Sequence, residues 1–183
     1  MERWPPAYDA EDLLSLIHSI KSDHRSSSFF DLRPTVAQRC QGDIVHLPSG
    51  IPVLDSNGDP GVTDHESELW LVVGNTCDFE RDLDDLQWTQ IVPLLSVGTE
   101  ADIEPGLLLD FKNYRVSRYF YVPDWRSGQR QEHFLAELPM PVTVDKSAIL
   151  SAAVHARLSR SAWILLNACL VRFLARDDGR FAA

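Results

Sequence analysis

The sequence predicts an α+β protein: a small, curved antiparallel β-barrel with a helix before it and helices after it. Segments with a two-residue hydrophobic period or a short β-branched run fall between Gly42 and Leu138. Segments with helical spacing lie outside that span. Turn signals such as Asn57-Gly58 and Gly128 separate the strand candidates at hairpin distances. A length of 183 residues suits one domain, 1–183, with a sizeable core, and 44% hydrophobic with 24% charged residues is the balance of a soluble globular chain.

The N-terminal helix is predicted over 9–25. Asp9 can cap it, Leu13, Leu14, Ile17 and Ile20 recur at helical spacing, and Asp12 sits near the positive end of the dipole. Ser26-Ser27-Ser28 breaks the pattern, and His18 and His24 read as solvated surface. The barrel core is predicted over 42–138. Its first strand is Gly42–Leu47, followed by a turn-rich stretch with a hairpin at Asn57-Gly58. Asp55, Asn57 and Asp59 imitate the opening of a calcium loop, but Pro60 takes the sixth-position glycine's place, so the stretch reads as a solvated turn.

The central pair is Glu68–Val73 and Gln87–Leu95, both apolar enough to be buried on two faces. After a polar connection, Gly106–Asp110 opens a short element. Tyr114–Pro123 then alternates Arg115, Ser117, Tyr119 and Tyr121 against Val116, Arg118, Phe120 and Val122. Interleaved arginines and aromatics could stack on bases, yet an antiparallel strand with aromatic cross-strand pairs explains them more simply. His133–Leu138 is the return strand. Beyond Pro139 and Pro141, C-terminal helices are predicted over 145–176. Asp145 opens the first, through Ala156, and Ser159 or Ser161 caps a second that is apolar almost all round, with Cys169 as a core residue.

A net charge of −10 disfavours a surface built to neutralise phosphates. The three cysteines, Cys40, Cys77 and Cys169, are far apart and lack metal-ligand spacing, which fits reduced thiols in a cytoplasm. The start is no signal peptide, no run is long enough to span a membrane, and neither metal nor cofactor is expected. The last helix is expected to pack across the barrel or to join a homodimer.

The candidate site is the end of the central strand, where Gly74-Asn75 delivers Thr76, Cys77 and Asp78 to the mouth of the sheet. Five carboxylates follow or belong to it: Asp78, Glu80, Asp82, Asp84 and Asp85. Binding is assigned to Asn75, Thr76, Cys77, Asp78, Glu80, Asp82, Asp84 and Asp85, with a basic partner surface as the complementary chemistry. A cysteine-dependent enzyme would use Cys77 as nucleophile with His46 or His65 as base, although the surrounding carboxylates oppose a thiolate. If the strand runs through Asp78, only one of the two residues faces the groove. Burial suits a thiol better than a carboxylate, so Cys77 is predicted buried and unreactive, and Asp78 is predicted to turn outward or to accept backbone N–H bonds from the following turn.

The segments Gly42-Asp43-Ile44-Val45, Leu69-Trp70-Leu71-Val72-Val73 and Ile91-Val92-Pro93-Leu94-Leu95-Ser96 together resemble, in order, the PemK/MazF toxin family, over roughly residues 42–97. Asn75-Thr76-Cys77-Asp78 and Arg118–Pro123 are similar to segments of a bacterial branch of that fold that also carries a C-terminal helix. The resemblance implies an SH3-like barrel, a toxin–antitoxin or defence-type setting, and metal-independent RNA cleavage by an arginine before the second strand with a hydroxyl at the end of the third. Ser96 matches the hydroxyl, but Glu68-Leu69 stands where the Arg-Pro pair belongs. A hydroxyl alone cannot polarise a phosphodiester, so Arg81, Arg115 or Arg118 would have to supply the cation. The expectation is therefore a barrel that binds a partner protein or small ligand without catalysis, with an endoribonuclease as the alternative.

Overall fold

The computed structural model describes residues 29–31, 38–47, 50–54, 60–63, 67–126 and 131–174, together with Ser15, Ile17 and His18. Its strands are β1 (Asp43–His46), β2 (Ile51–Leu54), β3 (Pro60–Thr63), β4 (Leu69–Val72), β5 (Trp88–Ser96), β6 (Tyr119–Pro123), β7 (His133–Glu137), β8 (Val142–Asp145) and β9 (Ala153–Arg157). Its helices are α1 (Pro105–Lys112), α2 (Lys146–Ser151) and α3 (Arg160–Leu174), with a 3-10 turn over Thr76–Glu80. The main sheet runs β6-β7-β5-β4-β1-β9 with β8 also on β5, all antiparallel, and curls into a half-barrel; β2 and β3 form a separate hairpin. The predicted 9–25 helix lies mostly outside the described residues, although Ile17 and His18 are helical and Ile17 is buried. Asp55, Asn57, Asp59 and His65 also lie outside them.

Strand β5 organises the curl. Val73 donates to the Gln90 carbonyl, so its even residues face β4 and its odd ones face the other edge. That other edge changes partner midway: Trp88–Ile91 pair with β8, and Leu94–Ser96 with β7. Pro93, which has no N–H, falls in the gap between the two partners, where no ladder bond is lost. A proline inside a nine-residue strand is tolerated for that reason, and the strand can bend there.

Both faces of the sheet are covered, as the two-sided apolar runs predict. Ile44, Leu71, Val92 and Leu94 join Phe120, Phe134, Leu165 and Leu166 in one core, closed by α3. Val45, Trp70, Val72 and Ile91 join Val144 and Ile149 in a second, closed by α2. Burial pushes the Cys169 thiol on α3 up to about 12, consistent with a small core residue.

Three expectations need correction. Residues 145–156 are not one helix: α2 stops at Ser151, Ala152 turns extended (φ −66°, ψ 150°), and β9 pairs with β1. The alanines read as helix, but Arg157 at the end of β9 reaches the fully buried Asp43, Nε to Oδ1 2.6 Å and Nη2 to Oδ2 2.9 Å. The sheet therefore extends beyond Leu138, the predicted end of the barrel. Second, Gly106–Asp110 is helical: Pro105 starts α1, and the Glu104 carboxylate accepts from the Gly106 and Leu107 N–H groups.

Third, residues 114–118 are not strand. Tyr114 N–H donates to Phe111 O and Arg115 N–H to Asp110 O, the two bonds of a Schellman ending to α1. That motif sets Tyr114 in the left-handed region at φ 54°, a place glycine usually takes. The cost is offset because the ring is buried and its hydroxyl donates to Tyr121 O at 3.0 Å. The strand itself begins at Tyr119 and pairs antiparallel with β7, but Tyr119, Phe120 and Tyr121 stand opposite Glu137, Ala136 and Leu135, so the strand is found and the aromatic cross-strand pairs are not.

Candidate acidic-loop site

The strand end is built differently from its predicted parity. Strand β4 stops at Val72; the Val73 and Gly74 N–H groups both donate to Gln90 O, at 3.0 and 2.9 Å, and the chain turns into the 3-10 segment. Two-residue alternation no longer applies at Cys77 and Asp78. Cys77 is exposed, contrary to the expectation of burial, and Phe79 is the residue the turn buries. Asp78 is half-buried, and its carboxylate makes only a weak contact with Cys77 Sγ at 3.8 Å among the described residues. Asn75 is exposed and supplies no side-chain cap, whereas Thr76 Oγ1 accepts the Gln41 N–H at 3.1 Å.

The loop is fixed from beneath by a residue the sequence reading did not single out. Lys146 is 1% exposed. Its Nζ donates to the carbonyls of Asp78 at 2.9 Å and Arg81 at 2.7 Å. A buried ammonium needs acceptors, and here two loop carbonyls serve. The only sequence signal was position: Lys146 lies three residues before the buried Ile149, on the same face of α2. With its backbone held, the loop presents Glu80, Arg81, Asp82, Leu83, Asp84 and Asp85 to solvent. Among the described residues none of its carboxylates is in an ion pair.

A cleft of about 260 Å³ opens beside the loop, lined by Val73, Gly74, Asn75, Asp78, Leu86, Trp88, Thr89, Gln90 and Thr143. Of the predicted binding residues it gathers Asn75 and Asp78; Thr76, Cys77, Glu80, Asp82, Asp84 and Asp85 do not line it. Gly74 is required by close approach, since a Cβ there would overlap Thr89 Oγ1.

A second groove, about 430 Å³, is lined by Ser67, Glu68, Leu69, Leu94, Leu95, Ser96 and Phe134. It unites Glu68 and Ser96, the two positions singled out around the third-strand hydroxyl. Glu68 is 3.2 Å from His46 Nε2, and Ser96 Oγ donates to Glu132 Oε2 at 2.9 Å. Arg81, Arg115 and Arg118 do not line this groove. Arg115 pairs with Asp110 at 3.1 Å, and Arg118 lies 3.9 Å from Glu137 and over the Tyr119 ring. Arg126 lies beside it, over the ring of the lining residue Phe134 at 5.0 Å. It bonds Glu132 at 3.0 Å and Asp124 at 2.9 Å. Hydrogen bonds from Arg126 and then Ser96 hold the Glu132 carboxyl below its ordinary value.

Cys77 has no histidine partner among the described residues, and His46 is occupied by Glu68 and lies tilted against the His155 ring. Among the described residues no group of three or more His, Cys, Asp and Glu could hold a metal ion, and no helix is long and apolar enough to cross a membrane. Comparison with family models, curated proteins and solved structures returned no match.

Proposed function

We propose that this protein is a non-catalytic recognition module whose acidic loop, residues 78–85, engages a basic surface on a partner protein. The setting implied by the PemK/MazF-like resemblance is a bacterial toxin–antitoxin or defence-type module, with an SH3-like barrel as scaffold. The observation that carries this reading is the buried Lys146, which holds the backbone of the loop through the Asp78 and Arg81 carbonyls. A loop ordered before binding loses less conformational entropy when a partner docks. Its unpaired carboxylates speed encounter with a cationic surface. Leu83, 42% exposed among them, provides an apolar anchor at the centre of the charge.

The Ser96 groove supports the non-catalytic side of the proposal, because no cation lines it and the Ser96 hydroxyl is spent on Glu132. One observation favours RNA cleavage as a second reading: Arg126, Glu132 and Ser96 form a continuous hydrogen-bonded chain at the rim of that groove. Purified protein incubated with mixed-sequence single-stranded RNA without metal separates the two. Intact RNA is expected; cleavage abolished by Ser96→Ala or Arg126→Gln would replace the recognition reading with the ribonuclease. For recognition itself, a captured basic partner should bind less tightly as salt rises and when Asp82, Asp84 and Asp85 are changed to Asn.

A further inference from the structure

We infer that the cleft beside the acidic loop is a guanidinium site, which receives an arginine side chain presented by the partner. The inference rests on the recognition reading above and specifies the side chain that the loop surface captures. Two side chains of the cleft are open to a cationic, planar ligand. The Asp78 carboxylate faces no cation within ion-pair distance among the described residues. Thr89, 5% exposed, packs its Oγ1 on Gly74 and forms the closed floor of the cleft. Trp88 is half-buried on the cleft wall and makes no ring contact among the described residues.

These groups select among ligands. No cation lines the cleft, so a phosphate would meet the Asp78 carboxylate without compensation. An ammonium would satisfy Asp78 but leave the indole face unused. A guanidinium is planar, always charged and donates in its own plane. It can therefore pair with Asp78 and reach Asn75 Oδ1 while its face rests on Trp88. At about 260 Å³ the cleft is smaller than the roughly 300–1,000 Å³ of small-molecule sites, which suits one side chain. Lys146, the cation closest in sequence to the cap of α2, is spent on the loop carbonyls and leaves the carboxylate to the incoming charge.

The test uses the full chain, isotope-labelled, titrated with N-acetyl-arginine amide while the Trp88 indole and Gly74 amide resonances are followed. Saturable shifts are expected. The neutral isostere N-acetyl-citrulline amide should bind at least roughly tenfold more weakly, and N-acetyl-lysine amide should also be weaker. Asp78→Asn should weaken arginine binding by a similar factor while keeping the backbone carbonyl that Lys146 holds. Trp88→Leu, which removes the stacking face, should also weaken arginine binding followed at the Gly74 amide, with its fold read from the rest of its spectrum. Absence of saturable shifts, equal binding of citrulline amide, or an Asp78→Asn variant that binds as wild type would each overturn the site. An Asp78→Asn variant that loses the probe but keeps full affinity for the basic partner overturns the cleft alone. A probe that binds wild type while no basic partner responds to the loop charges overturns the loop reading alone.

Discussion

A lysine with 1% of its surface exposed must bring its hydration shell's replacement with it, and for Lys146 that replacement is the backbone of the acidic loop. Lys146→Met keeps the alkyl stem and removes two charged hydrogen bonds, so it should cost about 2–3 kcal/mol in denaturant unfolding. The Asp85 and Leu86 amides, both bonded to the Asp82 carbonyl, should then exchange faster with solvent; unchanged exchange would show that the loop is held by something else. A second residue-scale test concerns His133, whose Nδ1 meets the Tyr121 hydroxyl at 2.9 Å while its buried Nε2 makes no hydrogen bond and lies 4.0 Å from the Glu100 carboxylate. Burial, then the nearby Lys112 cation, lowers His133 below its ordinary 6.5, against the opposing Glu100 and Asp124 charges. The folded state thus takes up this proton less readily than the unfolded chain. The stability it contributes is complete above 6.5 and is lost as pH falls through 6.5 toward the folded value. Unfolding midpoints measured from about pH 7 to about pH 5 should show this slope, and His133→Gln should flatten it. The candidate residues themselves were legible in sequence as a thiol, a carboxylate and an acidic run. Their exposure was not, because where β4 ends depends on the doubled bond to Gln90 O and not on hydrophobic period.

At the scale of elements, short α2 owes its start to Asp145, whose Oδ1 accepts the Ser147 N–H at 2.8 Å while Oδ2 accepts Gln87 Nε2 at 2.7 Å. Bonds from Ser147, then Gln87, hold the carboxyl below its ordinary 3.8. Its contribution is therefore present above 3.8 and is lost as pH falls through the lower folded value. Asp145→Ala should cost about 1 kcal/mol at neutral pH, with a smaller difference from wild type in acid. A deficit that stayed constant to low pH would remove the cap from this account. The cap and the Ser159 start of α3 were readable because capping is local: the Ser159 carbonyl accepts the Trp163 N–H and its Oγ accepts from Ala162. Strand β9 was not readable. Ala153-Val154-His155-Ala156-Arg157 carries few β-branched residues, and its strand character comes from pairing with β1 and from the Arg157–Asp43 contact more than a hundred residues away in sequence. The same local logic found a short element at Gly106–Asp110 but not its helical type, whose signal was the Glu104-Pro105 start and not an amphipathic stripe.

For the whole molecule, the sheet with two covered faces followed from apolar runs such as Leu69–Val73, in which Leu71 enters one core while Trp70 and Val72 enter the other. The partner change of β5 at Pro93, and the placing of Lys146 under a loop 65 residues earlier, are tertiary outcomes that no single stretch announces. They also explain why the loop is a fixed acidic projection: α2 and β8 dock on β5, and the Gln87 carbonyl accepts the Lys146 N–H at 2.7 Å at that junction. The central claim, that this projection binds a basic partner by charge, is tested most directly by the salt dependence of affinity. Titration of the captured partner into wild type and into the Asp82→Asn, Asp84→Asn, Asp85→Asn triple variant, at rising ionic strength, reads it. The account predicts that wild type binds roughly tenfold or more tightly at low salt and that the gap closes as salt screens the loop. Equal affinity of the two proteins at low salt would contradict it.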